Sequence, residues 1–394
     1  MPGGILCYGK TFGRTITVKA LWTALCVFLS LRTQFPRHFC FTFVSLPGRY
    51  VTPTCSGRLN LYMKNIEAVL PLLQEPKKIF ITTHHKPDGD AMGSTLGLYH
   101  YLVQKGHQPV VVSPSEVPDF LAWMPGINTV LNFESEPRQC QKELDQADLI
   151  FCLDFNRLDR VKSFTEQLGA ALQPRILIDH HLHPDAAVFA YGMSDPDKSS
   201  TCEMIYDFIR IDGGAELINN DIAACLYTGV MTDTGSFRFP ATTASVHEML
   251  ADLKHRGLEH AIIHQHIYDS WSAERMRFLG YVLYEKMEIF PEQHAGIIAL
   301  SLADMQQFRI ATGDTEGMVN YPLSIEGINT AVLLTEKKEE VRMSFRSKGD
   351  IDVSTFAAAN FNGGGHFNAA GGRSTESLAD TLQRLKKLLG IPVK

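Results

Sequence analysis

The chain has 394 residues, of which 45% are hydrophobic and 20% are charged. This composition excludes a disordered or membrane-embedded protein, and the length exceeds what one hydrophobic core usually supports. Residues 1–62 contain seven Lys or Arg and no Asp or Glu, so the rest of the chain has a net charge of −13. Proteins that bind long duplex nucleic acid are usually basic, so we expect a small substrate or a few nucleotides instead.

Residues 1–62 are predicted to be a leader outside the fold. Their apolar run at 20–31 is shorter than the roughly 20 residues that cross a bilayer, and no clear small-residue cleavage site follows it. The leader is a stretch before a working start at Met63, a targeting segment or a membrane anchor. The first alternative is favoured, and no membrane partner is expected.

From residue 63 the sequence alternates between helix and strand signals. Helices are predicted at 65–73 and 91–105, and short apolar strands at 78–82, 109–112, 149–153 and 175–178. Buried apolar strands between helices are typical of a mainly parallel sheet with helices on both faces. We predict that this first domain covers residues 63–239.

A helical connector is predicted at 240–290, with an interruption at 268–272. A smaller α/β domain at 291–394 follows, with strands at 295–300, 329–335 and 340–346 and a glycine-rich loop at 363–372. The predicted fold class is therefore α/β with two unequal domains.

Cysteine usage indicates the compartment. The eight cysteines have no CxxC or zinc-like spacing, and four of them lie in the leader. This pattern is typical of a reduced, cytoplasmic protein.

Acidic and imidazole side chains follow several of the predicted strands. His84, Asp88 and Asp90 form an HxxxDxD turn after the first strand, Asp154 follows the third, and Asp179-His180-His181 follows the fourth. Ligands collect beyond the carboxyl ends of parallel strands, and these residue types bind hard divalent cations. Structural alternatives are a turn in which Asp90 caps the next helix and a capping role for Asp154.

Asp233 ends an apolar helical pattern at 222–231. An acidic residue is unfavourable at the negative end of a helix, and a bound cation would relieve this.

The ordered motifs HHKPDGDAMGS, LDFNRLDR, IDHH and TGVMTDTGSFRF resemble those of the DHH phosphoesterase superfamily. The resemblance extends from about residue 78 to the end and implies that residues 63–239 are a DHH catalytic domain. It also implies two divalent cations, of which Mn²⁺ is favoured. One cation would take His84, Asp88 and Asp154, and the other Asp90, Asp154, His180 and Asp233.

Charge supports this ligand set, because four carboxylates balance two divalent cations. Such a pair lowers the pKa of a shared water and holds the attacking and leaving oxygens. Asp154 and His181 are the expected catalytic residues, and His181 would face the phosphate or protonate the leaving group. Alternatively, His181 would not contact the substrate but would orient the Asp or His ligands of the metals.

The C-terminal string Gly363-Gly364-Gly365-His366 continues as FNAAGG and is similar to the signature of the DHHA1 domain. Glycines before small helix formers would let backbone N–H groups and a helix N-terminus approach an anion. The resemblance implies that this loop, His366 and the strand residue Arg346 bind the substrate. A plain turn and a surface ion pair are the alternatives.

The combined DHH and DHHA1 arrangement is most similar to the nanoRNase/pAp phosphatase branch. It implies hydrolysis of short single-stranded RNA to mononucleotides, and of pAp to AMP and phosphate. The alternatives are a cyclic or linear dinucleotide phosphodiesterase and a catalytically inactive nucleotide-binding regulator. A homodimer is compatible with the sequence.

Overall fold

The computed structural model describes residues 49–53, 59–63, 65–310 and 313–392. Most of the predicted leader lies outside these ranges. Its described part is one antiparallel strand pair, which extends to Met63. Among the described residues, no helix combines the length and apolarity that crossing a bilayer requires.

The described chain folds into fourteen strands and eleven α-helices. The strands are β1 Arg49–Pro53, β2 Leu59–Met63, β3 Lys78–Thr82, β4 Gln108–Ser113, β5 Leu131–Asn132, β6 Leu149–Leu153, β7 Arg175–Asp179, β8 Tyr191–Ser194, β9 Met287–Phe290, β10 Ala295–Leu300, β11 Thr330–Glu336, β12 Val341–Ser347, β13 Gly364–His366 and β14 Ala369–Ser374. The helices are α1 Gly89–Gln104, α2 Pro137–Gln146, α3 Thr165–Ala170, α4 Thr201–Ile211, α5 Asn220–Asp233, α6 Ala244–His255, α7 His260–Tyr268, α8 Ala273–Tyr281, α9 Leu302–Gln307, α10 Val353–Asn360 and α11 Leu378–Leu388.

The first sheet has the strand order β5-β4-β3-β6-β7-β8, and all its pairs are parallel. Side chains alternate between two cores, because successive residues of a strand point to opposite faces. On β3, Ile79 and Ile81 join the core with α1, α4 and α5, whereas Phe80 joins the core with α2 and α3. The prediction of a parallel sheet with helices on both faces is confirmed.

Helices α6, α7 and α8 occupy most of the predicted connector, and the break between α7 and α8 falls at the predicted interruption. Before β3, the segment at 66–73 is a 3-10 helix rather than an α-helix. It contains Pro71, which cannot donate a backbone hydrogen bond inside a regular helix.

The second sheet has the order β13-β14-β12-β11-β10-β9. Only the β10–β11 pair among its neighbours is parallel, and the other pairs are antiparallel. Helices α10 and α11 share a core with one face, and α8 and α9 share a core with the other. The chain therefore has the predicted second, smaller α/β unit.

The glycine-rich segment at 363–372 is a β-hairpin and not the predicted loop. Residues 369–374 form strand β14, so the expectation that a helix N-terminus follows the glycines is wrong. Both hairpin strands consist largely of Gly and Ala, which offer little side-chain packing. Strand β14 pairs along its whole length with β12, and this pairing stabilises the hairpin.

Candidate metal centre

The loop after β3 carries the first three predicted ligands. The Asp88 side chain accepts hydrogen bonds from the Asp90 and Ala91 N–H groups, both at 3.1 Å, and so caps α1. The alternative in which Asp90 is the cap is therefore wrong. The other oxygen of Asp88 lies 3.9 Å from Nε2 of His84, whose Nδ1–H donates to the His85 carbonyl at 3.1 Å.

Asp154 lies at the centre of the cluster and is 2% exposed. Its Oδ2 is 3.4 Å from Nε2 of His84, and its Oδ1 is 3.6 Å from Nε2 of His180. The Thr201 hydroxyl donates to Oδ1 at 3.0 Å. The backbone at Asp154 has φ +62°, a left-handed conformation that costs energy at a non-glycine residue and is concentrated at functional sites.

Asp90 is fixed by the start of α4. The backbone N–H groups of Thr201 and Cys202 donate to its two oxygens at 2.6 and 2.9 Å. These free N–H groups at a helix N-terminus favour a carboxylate. One Asp90 oxygen lies 3.8 Å from Nε2 of His180.

His180 connects Asp90 and Asp154 to the end of α5. Its Nδ1–H donates to the Lys198 carbonyl at 3.3 Å, which directs Nε2 at the acidic cluster. Asp233 is the last residue of α5, and its Oδ2 lies 3.3 Å from that Nε2. The six predicted ligands thus lie together, and Asp154 belongs both to the group with His84 and Asp88 and to the group with Asp90 and His180.

Burial and mutual repulsion change the pKa values of these groups. Burial raises the pKa of Asp154 well above its usual range, and the charges of Asp90 and Asp88 raise it further. Burial, followed by the charge of Asp90, raises the pKa of Asp233 to about 8. For His180, burial lowers the pKa, but Asp233, Asp154 and Asp90 outweigh it and raise the pKa to about 9.

A pair of divalent cations fits this donor set. Four carboxylates and two imidazole nitrogens converge within a largely buried space, and two doubly charged cations would balance the carboxylates. Oxygen ligands combined with imidazole are typical of sites for Mn²⁺ and related metals.

The sequence predicts Asp179 beside the ligands at the end of the fourth strand, but it assigns this residue no role. Asp179 is fully buried, its Oδ1 accepts from Nδ1–H of His181 at 2.7 Å, and its Oδ2 accepts from the His181 N–H at 3.1 Å. The bond fixes the tautomer and the orientation of His181. The separation of two residues between Asp179 and His181 in the sequence is the signal from which this contact could have been predicted.

His366 reaches the site from the second domain. Its ring centroid is 4.6 Å from that of His181 and 5.0 Å from that of His180. Burial is the largest cause that lowers its pKa to about 3, and His181 and His180 lower it further. His366 is therefore a neutral imidazole in this arrangement.

Arg346 lies on β12 and faces the same site. Its Nη1 donates to the Phe345 carbonyl at 2.9 Å. Burial lowers its pKa, whereas the charges of Asp233 and Glu316 act in the opposite direction. The predicted substrate residue is thus a largely buried guanidinium with an electrostatic contact to the predicted ligand Asp233.

The glycines of the hairpin are required by close backbone packing. A Cβ atom at Gly363 would collide with the Gly371 carbonyl oxygen, and one at Gly365 would lie 2.6 Å from the Ala369 carbonyl oxygen. Gly365 also has φ +148°. At Gly364, by contrast, a Cβ atom would meet no other atom within 4 Å.

Two family models match the chain. The DHH family N-terminal domain matches residues 78–230, and the DHHA1 domain matches residues 292–390. Together they include all six predicted ligands except Asp233, which lies three residues beyond the first match.

Known proteins resemble nearly the whole described chain. A bifunctional oligoribonuclease and PAP phosphatase NrnA from Thermus thermophilus is 30% identical over 310 residues, which are 78% of this chain and 87% of that protein. The protein of the same name from Bacillus subtilis is 25% identical over 298 residues, covering 74% of this chain and 88% of its own.

A crystal structure of an exopolyphosphatase-related protein from Bacteroides fragilis has a TM-score of 0.79 and 35% identity. It covers 82% of this chain and 95% of its own. The order of the two domains, the clustered ligands and these relatives agree, and the chain belongs to the DHH/DHHA1 family of phosphoesterases.

Proposed function

We propose that this phosphoesterase hydrolyses short oligoribonucleotides to mononucleotides and also converts pAp to AMP and phosphate. The observation that carries the proposal is the central position of Asp154, within both ligand groups and beside His181, whose ring contacts His366 of the second domain. The relatives named for oligoribonuclease and PAP phosphatase activity support the choice of substrates.

His84, Asp88 and Asp154 would hold one cation, and Asp90, Asp154, His180 and Asp233 the other. We propose Mn²⁺ at both positions. When bound, the pair would make a water nucleophilic near neutral pH and neutralise charge on the phosphate. The protein's own contribution is to hold these ligands in place through Thr201, Cys202 and the carbonyls of His85 and Lys198.

His181 is the proposed proton donor to the leaving oxygen. Asp179 holds its Nδ1–H, so Nε2 is the nitrogen that exchanges a proton with the substrate. Burial is the largest cause that lowers the pKa of His181, and the charge of Asp179 opposes it by favouring the imidazolium form.

Arg346, His366 and the hairpin at 363–365 are the proposed substrate-binding residues. The Arg346 guanidinium suits a phosphate because it offers several donors in one plane. His366 of the second domain contacts His180 and His181 of the first, so substrate would be held between the two domains.

We also propose a cytoplasmic location. The four cysteines in the described part of the chain are all buried and free, which fits a reducing compartment. Dimerisation stays a prediction.

The test is a comparison of substrates for the full chain with Mn²⁺, Mg²⁺ or chelator. We expect mononucleotides from di-, tri- and tetraribonucleotides, phosphate from pAp, and no turnover with chelator. Preferred turnover of cyclic di-AMP or pyrophosphate would contradict the proposal, as would Asp154→Asn with wild-type phosphate release. Exposed Asp185→Asn is the matched control.

A further inference from the structure

A group of exposed basic side chains adjoins the metal centre, and both domains contribute to it. We call it the basic strip, and it consists of Lys86, Arg160, Lys162, Lys337, Arg342 and Arg373. It stands out because the chain after residue 62 has a net charge of −13.

The first domain supplies its half from two adjoining loops. Lys86 lies inside the ligand loop, and its N–H donates to Oγ of Ser115 at 2.7 Å. The neighbouring His85 N–H donates to the Arg160 carbonyl at 2.9 Å, which joins the ligand loop to the turn that carries Arg160 and Lys162. Lys86 and Lys162 have φ +59° and +51°, so both loops hold a lysine in a costly backbone conformation.

The second domain supplies its half from neighbouring strands. Arg342 on β12 is directly opposite Arg373 on β14, although like charges in this position destabilise a sheet. Glu340 accepts from Nε of Arg342 at 2.7 Å, and its carbonyl accepts from the Lys337 N–H at 2.8 Å. The Glu340 carboxylate thus pairs with Arg342, and the Glu340 backbone holds the turn that carries Lys337.

Charge interactions connect the two halves of the strip. Burial lowers the pKa of Lys337, and the charges of Arg342 and Lys86 lower it further. The hydrogen bond from Arg342 is the largest cause that lowers the pKa of Glu340, and the charges of Arg373 and Lys86 add to it. Lys86 of the first domain therefore interacts electrostatically with Lys337, Glu340 and Arg342 of the second.

The strip begins at the active-site imidazoles. The charge of Arg160 acts on both His181 and His366, and Lys86 lies between the ligands His84 and Asp88 in the sequence. Cations gathered at a structural cost, next to a site for phosphoesters, indicate a surface for a polyanion.

We propose that the basic strip binds the phosphates of an oligonucleotide beyond the scissile one, and so favours oligonucleotides over pAp. This inference rests on the proposed oligoribonuclease function. A nucleoside bisphosphate places its phosphates at the metal centre and on Arg346, whereas a tri- or tetranucleotide extends further phosphates along the strip. The chain after residue 62 is otherwise acidic, which disfavours binding of a long strand.

The test combines Lys337→Gln, Arg342→Gln and Arg373→Gln in one variant, which leaves the proposed catalytic residues intact. Its kcat/KM for a tetraribonucleotide should fall at least about tenfold, because three charged groups that would contact phosphates are lost. Its kcat/KM for pAp should stay within about twofold of wild type. The dependence of tetranucleotide turnover on salt should also become weaker.

The matched control combines Lys142→Gln, Arg277→Gln and Lys387→Gln, which change the net charge by the same amount. These three exposed cations lie on helices α2, α8 and α11. The thermal midpoint with and without Mn²⁺ checks folding of both variants. Suppose that wild type cleaves tetranucleotides, but the strip variant either matches the control or loses pAp and tetranucleotide turnover equally. The proposed role of the basic strip is then wrong, whereas the proposed function still holds. If wild type cleaves no oligonucleotide, the proposed function fails and the strip with it.

Discussion

At the scale of single residues, Asp154 connects the two groups of proposed ligands. Its two oxygens face different histidines, its backbone is left-handed, and the Thr201 hydroxyl at the start of α4 donates to one oxygen. Sequence alone predicts that Asp154 and the other ligands converge, because each follows a strand or ends a helix. It does not predict Thr201, because this contact joins residues 47 positions apart that carry no shared pattern.

Asp179→Asn tests the orientation of His181. The amide would still fill the buried space, but it would lose the charge that stabilises imidazolium and would favour other ring positions. We expect kcat on a tetraribonucleotide to fall about 10- to 100-fold with little change in KM or in the Mn²⁺-dependent thermal shift. A wild-type kcat would show that Asp179 is structural only.

The metal-free centre should make stability depend on pH. The pKa of Asp233 rises on folding from 3.8 to about 8, and that of His180 from 6.5 to about 9. Both groups therefore hold protons in the folded state that the unfolded chain releases, so stability falls as pH rises through these windows. The steepest fall is expected between 6.5 and 8, where the windows overlap.

Thermal midpoints in chelator and in excess Mn²⁺ measure this effect between pH 6 and 9. The metal-free midpoint should drop with increasing pH, and the drop should be smaller with metal, which replaces the protons. A metal-free profile that is flat or rises with pH would contradict the electrostatic description of the centre.

At the scale of elements, helices α1, α4 and α5 approach each other closely beneath the ligands. A Cβ atom at Gly229 on α5 would collide with Sγ of Cys202 on α4 and lie 2.7 Å from Oδ1 of Asp90 on α1. Glycine at this position thus permits the helix contact and leaves room for a ligand carboxylate.

Gly229→Ala should lower the free energy of unfolding by about 1–3 kcal/mol through overpacking and weaken Mn²⁺ binding by displacing Asp90. Gly280→Ala is the control, because Gly280 lies in α8 and a Cβ atom added there would meet no other atom within 4 Å. There alanine should stabilise by about 0.5–1 kcal/mol. Chemical denaturation and Mn²⁺ calorimetry measure both effects, and equal results for the two variants would refute the packing argument.

The elements with strong apolar runs are the ones that sequence predicts well. Strands β3, β6 and β10 have the predicted bounds, since each is a short buried run between polar residues. The hairpin of β13 and β14 escaped prediction because its glycines have no strand propensity of their own, and its order comes from pairing with β12. Strand β5 is two residues long and has no detectable period.

At the scale of the molecule, the two domains contribute different residues to the proposed site. The six proposed ligands lie between residues 84 and 233, whereas His366 and Arg346 come from the second sheet. Sequence predicted this division through the resemblance of two separate motifs. It could not predict that the His366 ring contacts both His180 and His181, which depends on how the domains pack.

His366→Ala should separate the two contributions. We expect kcat/KM on a tetraribonucleotide to fall at least about tenfold through loss of a substrate contact, while the thermal shift with Mn²⁺ stays as in wild type. His255→Ala, at an exposed helix end, is the control. Loss of the Mn²⁺ shift in His366→Ala would mean that this imidazole contributes to metal binding instead.

Because of this arrangement, the proposed metal ligands are synthesised before the proposed substrate-binding residues. A ribosome completes all six ligands more than a hundred residues before it reaches His366. Nascent or prematurely terminated chains would therefore contain every proposed ligand of the divalent cations, but they would lack the groups proposed to hold RNA. Degradation of RNA would begin only once the carboxyl-terminal hairpin has been made and has folded onto the rest.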